Sequence, residues 1–170
     1  MLRSLFPRLT AAEPKRGADL FAWVVAQARA PHWYAEGKMP DTLAGRFAVL
    51  ATITALTVER LERDGDQGTA ASAALTERFV EAMEAEHREL GLGDPTLGRT
   101  VRKLFGALAR RVALWRDADA ESRTAAVRDS LYSGTEASEA ALAHAASRLG
   151  ALRERLESAP VSAIAEGRIE

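Results

Sequence analysis

The chain has no cysteine. That absence removes disulfides, thiolate nucleophiles and cysteine-ligated zinc or iron–sulfur centres together. Aromatic residues make up 6% of it and proline occurs six times. Long apolar runs are missing as well, and nothing approaches the roughly 18 residues of a membrane-spanning helix. The opening stretch, Met1-Leu2-Arg3-Ser4-Leu5-Phe6-Pro7-Arg8-Leu9, is cut by Arg3, Pro7 and Arg8 and lacks the apolar centre of a signal peptide. The chain is therefore expected to stay on the side of the membrane where it is made. An excess of one charge is lacking too, since 23 basic residues face 24 acidic ones for a net charge of -1. No global drive toward nucleic acid or an anionic bilayer follows from that balance, although local patches still count.

What is present is a chain of 170 residues, 47% hydrophobic and 28% charged, long enough to bury one sizeable core. Residues 1–16, with Pro7 and Pro14 among basic side chains, read as a flexible basic arm. Its Leu2, Leu5, Phe6 and Leu9 either form an apolar stripe for a membrane surface or pack as an ordinary terminus. Leu20, Phe21, Val24, Val25 and Ala28 recur at helical spacing and predict a first helix that stops before Pro31. Gly37 and Pro40 keep the next segment irregular, and Asp41 or Thr42 caps a second helix carrying Phe47, Leu50, Ile53, Thr54, Val58 and Leu61 inward. That helix is rich in β-branched residues, but its poor alternation favours helix over strand.

Gly65 and Gly68 mark residues 64–70 as a loop, and a third helix follows over about 72–90 with an acidic exterior. Gly91 stops it, Asp94-Pro95 starts a fourth helix, and that helix is expected to bury Val101, Leu104, Phe105, Leu108, Val112 and Trp115. A shorter helix around 120–131 comes next. Ser133 with Glu136 reads as a capping box for a last long helix that Pro160 ends, leaving 159–170 as a flexible tail. The expectation is a single all-α, bundle-like domain of five to six helices over residues 17–158.

Catalytic signatures fail in turn. His32, His87 and His144 are scattered, no His-Glu-x-x-His occurs, and Glu84 with His87 is a lone Glu-x-x-His where a di-iron bundle needs two. There is no Gly-x-Ser-x-Gly elbow, and Gly91-x-Gly93 lacks the context of a phosphate loop. Neither enzyme, cofactor nor metal is expected, which points to a protein that works by presenting a surface.

Two features suit a surface. Between Asp94 and Asp117 there is no acid, while Arg99, Arg102, Lys103, Arg110, Arg111 and Arg116 are all present. This stripe either answers the acidic helix before it or meets an acidic protein, phospholipid or ribosomal RNA. Around the loop, Trp33, Tyr34 and Phe47 either plug the core or form an anchor for a partner. Arg46, in the first turn of its helix, is unfavourably placed with respect to the helix dipole. It is expected to hold the loop, to pair with Asp41 or Glu36, or to grasp a partner's carboxylate.

The spacing of Tyr34, Gly37, Pro40-Asp41-Thr42 and Gly45-Arg46-Phe47 resembles that of the ubiquinol–cytochrome c chaperone family. Met83, Arg88-Glu89, Gly91, Gly93-Asp94, Gly98, Val101 and Lys103 extend the resemblance, as do Ala18-Asp19-Leu20 and Arg29-Ala30-Pro31. The chain departs from the family at Ala109-Arg110-Arg111, where an aromatic-Gly-Arg step is usual, and at Glu84 and Trp115. The resemblance implies a non-enzymatic assembly factor that binds newly made cytochrome b, or a small helper protein with it, near ribosome and membrane. It implies no DNA and no small-molecule substrate, and a place in the cytoplasm or peripherally on the inner face of the inner membrane. The expected partner-binding residues are Trp33, Tyr34, Pro40, Asp41, Arg46, Phe47, Arg99, Arg102, Lys103 and Arg111. The rival reading is a helical scaffold with another partner; a small helical enzyme ranks below it.

Overall fold

The computed structural model describes residues 15–89, 94–119 and 121–170, and every regular element among them is a helix. In chain order these are α1 (Ala18–Ala28), α2 (His32–Ala35), α3 (Leu43–Glu62), α4 (Gly65–Glu89), α5 (Asp94–Asp117), α6 (Arg123–Leu131), α7 (Glu139–Ser158) and α8 (Val161–Ala165). Most of the arm over 1–16, with its apolar stripe, lies outside the described residues, as do Gly91 and Gly93 and the side chain of His87.

Helix α3 is the axis of the fold. It packs against α1, α4, α5, α6 and α7, and an unbroken run from Ala51 to Glu59 is buried. A helix surrounded on all sides needs no polar face, which is why its sequence reads as a nearly continuous apolar and β-branched run. The three threonines in that run are fully buried, and their hydroxyls need acceptors there. Thr52, Thr54 and Thr57 each donate to the carbonyl one turn back, on Ala48, Leu50 and Ile53, at 2.7, 2.8 and 2.9 Å. Around α3 the core is built from Leu20, Val24, Phe79, Trp115, Leu149 and Leu156.

Three expectations from sequence are corrected. Residues 64–70 are not a loop, because α4 begins at Gly65 and turns directly back along α3. Gly68 permits that turn: a Cβ there would lie 2.0 Å from the Leu61 carbonyl. The last long helix is capped by Ser138, not Ser133, with the Ser138 hydroxyl accepting from the Ala141 amide at 3.2 Å. The stretch 159–170 is no loose tail. It carries α8, buries Ile164 and Ile169, and packs on α1 and α4. Arg155 of α7 clamps it by donating to the carbonyls of Ile169 at 3.0 Å and Glu170 at 2.7 Å.

Candidate partner-binding face

The loop between α2 and α3 is a built structure. Trp33 is buried, 2% exposed, and its indole N–H donates to the Gln27 carbonyl at 2.9 Å. The Met39 amide returns to the Trp33 carbonyl at 3.0 Å, and the Met39 side chain is buried. From the α6–α7 connection the Tyr132 hydroxyl donates to the Gly37 carbonyl at 2.6 Å. Thr42 caps α3 by accepting from the Gly45 amide at 3.2 Å. Gly45 is obligatory, since a Cβ there would fall 2.0 Å from the Pro40 carbonyl.

The inner side of this loop is thereby fixed, and its outer side faces solvent. Tyr34 and Pro40 are half-buried, while Asp41, Leu43 and Arg46 are exposed. Arg46 Nε donates to Asp41 at 2.7 Å. That hydrogen bond holds the Asp41 carboxyl below its ordinary value and lifts the Arg46 guanidinium. Burial raises the Tyr34 phenol, with Arg46 opposing and Asp41 reinforcing the rise. An exposed pair of this kind adds little to stability, so its two charges remain available to a partner.

Helix α5 divides into two halves. In the C-terminal half two of the three cations, Arg111 and Arg116, are used within the fold, and Arg110 is exposed. Arg111 donates to the carbonyls of Ala107 at 3.1 Å and Ser130 at 2.8 Å and lies 5.7 Å over the Phe47 ring; Arg116 pairs with Glu62. Burial, with Arg110 second, pulls the Arg111 guanidinium below its ordinary value. In the N-terminal half, Arg99, Arg102 and Lys103 are exposed and make no ion pair among the described residues. The acidic helix α4 does not answer them. Its Glu77 and Glu81 pair with Arg78, Glu81 also with Lys15, and Glu84 with Arg88.

One turn after Arg102 stands Phe105, 47% exposed; Leu43 at the start of α3 is 42% exposed. The cause is helix length. Phe79 of α4 packs 6.1 Å from Phe47 of α3; α3 extends four residues before Phe47, about 6 Å, and α4 runs ten beyond Phe79, about 15 Å. The α4–α5 pair therefore overhangs the start of α3, and the apolar stripe of α5 loses its cover there. Phe105, expected in the core, is corrected to the surface, with Val101 and Leu104 half-buried beside it.

Of the expected contact residues, the structure keeps Tyr34, Pro40, Asp41, Arg46, Arg99, Arg102 and Lys103 accessible. Trp33 is sealed under the loop, Phe47 is half-buried against Phe79, and Arg111 is occupied with backbone carbonyls. These three are built into the packing around the loop and α5. Phe105 escaped the sequence reading because helical spacing assigns it to an apolar stripe, and Leu43 is not singled out by any sequence signal. His32 and His144 were also missed as a pair: 112 residues apart in sequence, their Nδ1 and Nε2 atoms lie 3.2 Å from each other. No group of three or more His, Asp or Glu side chains converges as a metal site among the described residues.

The fold is similar to that of a solved protein described as the Cbp3 homolog from Brucella abortus. The two are 26% identical with a TM-score of 0.77, over 91% of this chain and 87% of that one. No curated protein matches the chain at a significant level. Residues 35–170, which hold the loop, the overhang and everything after them, match the family described as ubiquinol–cytochrome c chaperone, and the chain belongs to that family.

Proposed function

We propose that the protein is a non-enzymatic assembly chaperone whose client is a cytochrome b-like membrane protein, held on the face formed by Tyr34, Asp41, Leu43 and Arg46 together with the overhanging part of α5. The observation that carries the choice of face is the state of α5. Phe105 is exposed, Arg102 one turn before it and the nearby Lys103 have no carboxylate partner among the described residues, and Glu77, Glu81 and Glu84 of the neighbouring acidic helix pair within that helix and with Lys15. A client not yet joined to its partner subunits exposes apolar helix surface, and Phe105 and Leu43 offer matching contact. Such binding needs only complementary surface and reversible contact.

The free cations extend the reading. No helix among the described residues is long and apolar enough to cross a membrane. Arg99, Arg102 and Lys103 would bring the chaperone to the headgroups of the inner face of the inner membrane, where the client is inserted. A small helper protein and the ribosome are the further partners of this reading.

The test is affinity capture from cells that assemble a ubiquinol–cytochrome c reductase, the complex whose biogenesis the chaperone would serve. A cytochrome b-like protein should be recovered with the chain, and a strain lacking the chain should accumulate less assembled complex. A deletion strain with normal complex and a capture free of cytochrome b would overturn the reading.

A further inference from the structure

We propose that His32 and His144 form a proton-operated clasp, which fixes α2 and the client-facing loop at neutral pH and frees them in acid. The client-facing role rests on the function proposed above; the clasp itself stands on geometry alone. His144 Nε2 and His32 Nδ1 are 3.2 Å apart, with ring centroids 5.2 Å apart and planes at 63°. Two imidazoles in this arrangement share one hydrogen, with one nitrogen donating and the other accepting. Protonating both rings sets two N–H donors and two positive charges against each other, and the bond is replaced by repulsion.

The surroundings sharpen the response. From α7, Arg148 faces the pair one turn beyond His144, adding a third positive charge when both rings are charged. At the C-cap of α2, Glu36 one turn beyond His32 is the carboxylate that opposes it, and it is exposed. Gln27 of α1 and Arg155 of α7 line the adjoining cavity of about 220 Å³ with Trp33. Arg155 is already committed to Gln27 and to the Ile169 and Glu170 carbonyls. Desolvation first, then Arg148 and His144, holds His32 below the ordinary imidazole value, with Glu36 opposing.

The clasp acts locally because the other ties of the segment do not titrate near neutrality. The ties of Trp33 to Gln27 and of Tyr132 to Gly37 keep the segment's average position while it opens more often. Acid therefore loosens α2, with Tyr34 on it, and spares the core.

Hydrogen exchange on the isolated full-length protein tests this without any client, comparing protection factors at pH 7.5 and 5.5, each corrected for intrinsic exchange. Amides of residues 33–39 should be less protected at pH 5.5 than at pH 7.5, while α3 amides keep their protection. His144→Gln, a neutral hydrogen-bonding side chain, should lose less protection between the two values than the wild type, because desolvation and Arg148 still act on His32. His144→Ala should be loose at both. Equal protection of residues 33–39 in the wild type at the two values, or an unchanged pH response in His144→Ala, overturns the clasp. Client capture at the same two pH values is read separately: if exchange switches and capture does not, the clasp stands and the loop's role as a client contact fails.

Discussion

The Arg111 guanidinium donates to the Ser130 carbonyl at 2.8 Å, joining α5 to the last turn of α6. Carbonyls at a helix end have no partner within their own helix, and a buried cation is a suitable one. Ser130 gathers two more contacts: the Trp115 indole donates to its hydroxyl at 3.0 Å, and the Thr52 hydroxyl lies 3.4 Å from its carbonyl. Helices α3, α5 and α6 thus meet at one residue. Arg111→Ala should cost about 1.5–3 kcal/mol, the range for hydrogen bonds to a charged group. At about 2–4 °C per kcal/mol for a chain of this size, Tm should fall by about 3–12 °C. Arg111→Lys should not rescue it, because an ammonium cannot serve both carbonyls with the guanidinium's planar fork. Thermal unfolding of the two variants checks this, and capture of client by the folded fraction should be unchanged.

Trp33 and Arg46 sit on opposite sides of one loop and should separate cleanly. Trp33→Ala removes a fully packed indole and should destabilise by about 3–5 kcal/mol. Arg46→Ala breaks an exposed pair with Asp41 and should leave Tm unchanged while weakening client capture. A fall in Tm for Arg46→Ala with capture intact would move Arg46 from the interface to the architecture.

The His32 shift makes stability depend on pH with a definite sign. Its folded value lies below 6.5, the ordinary one, so between those two values the unfolded chain binds more protons and stability rises with pH. The contribution is complete above pH 6.5 and is lost as pH falls through 6.5 toward the folded value. Urea unfolding at pH 7.5, 6.5 and 5.5 should show this decline, and His32→Gln should flatten it.

The closing segment should behave as core. Ile164 is fully buried, so Ile164→Ala should cost about 2–5 kcal/mol. Calorimetry should show this as a lower Tm in a single transition. A change within error would return residues 159–170 to the flexible tail expected from sequence.

Much of this architecture is legible in the sequence because the signals are local. Pro31 ends α1, Thr42 caps α3, and the spacing of Leu20, Val24 and Ala28 marks one buried face. The errors share a physical cause, since each depends on what lies across from a residue. Gly65 and Gly68 read as loop, yet Gly68 is there because Leu61 lies against it. Phe105 has core spacing, but α3 is too short to cover it. Ile164 and Ile169 follow a proline in a polar stretch, and only α1 and α4 give them a place to bury. In the loop, aromatic clustering leaves Trp33 either in the core or on a partner face; packing across from it decides, burying Trp33 and exposing Leu43, which the sequence does not single out.

The most direct measurement is site-specific photocrosslinking in cells, with a photoreactive residue placed in turn at Leu43, at Phe105 and, as a control, at the exposed Glu154 of α7. Positions 43 and 105 should each crosslink to a cytochrome b-like protein, and position 154 should not. Crosslinks to that protein from 154 alone, or from none of the three while it still co-purifies with the chain, would contradict the proposed face.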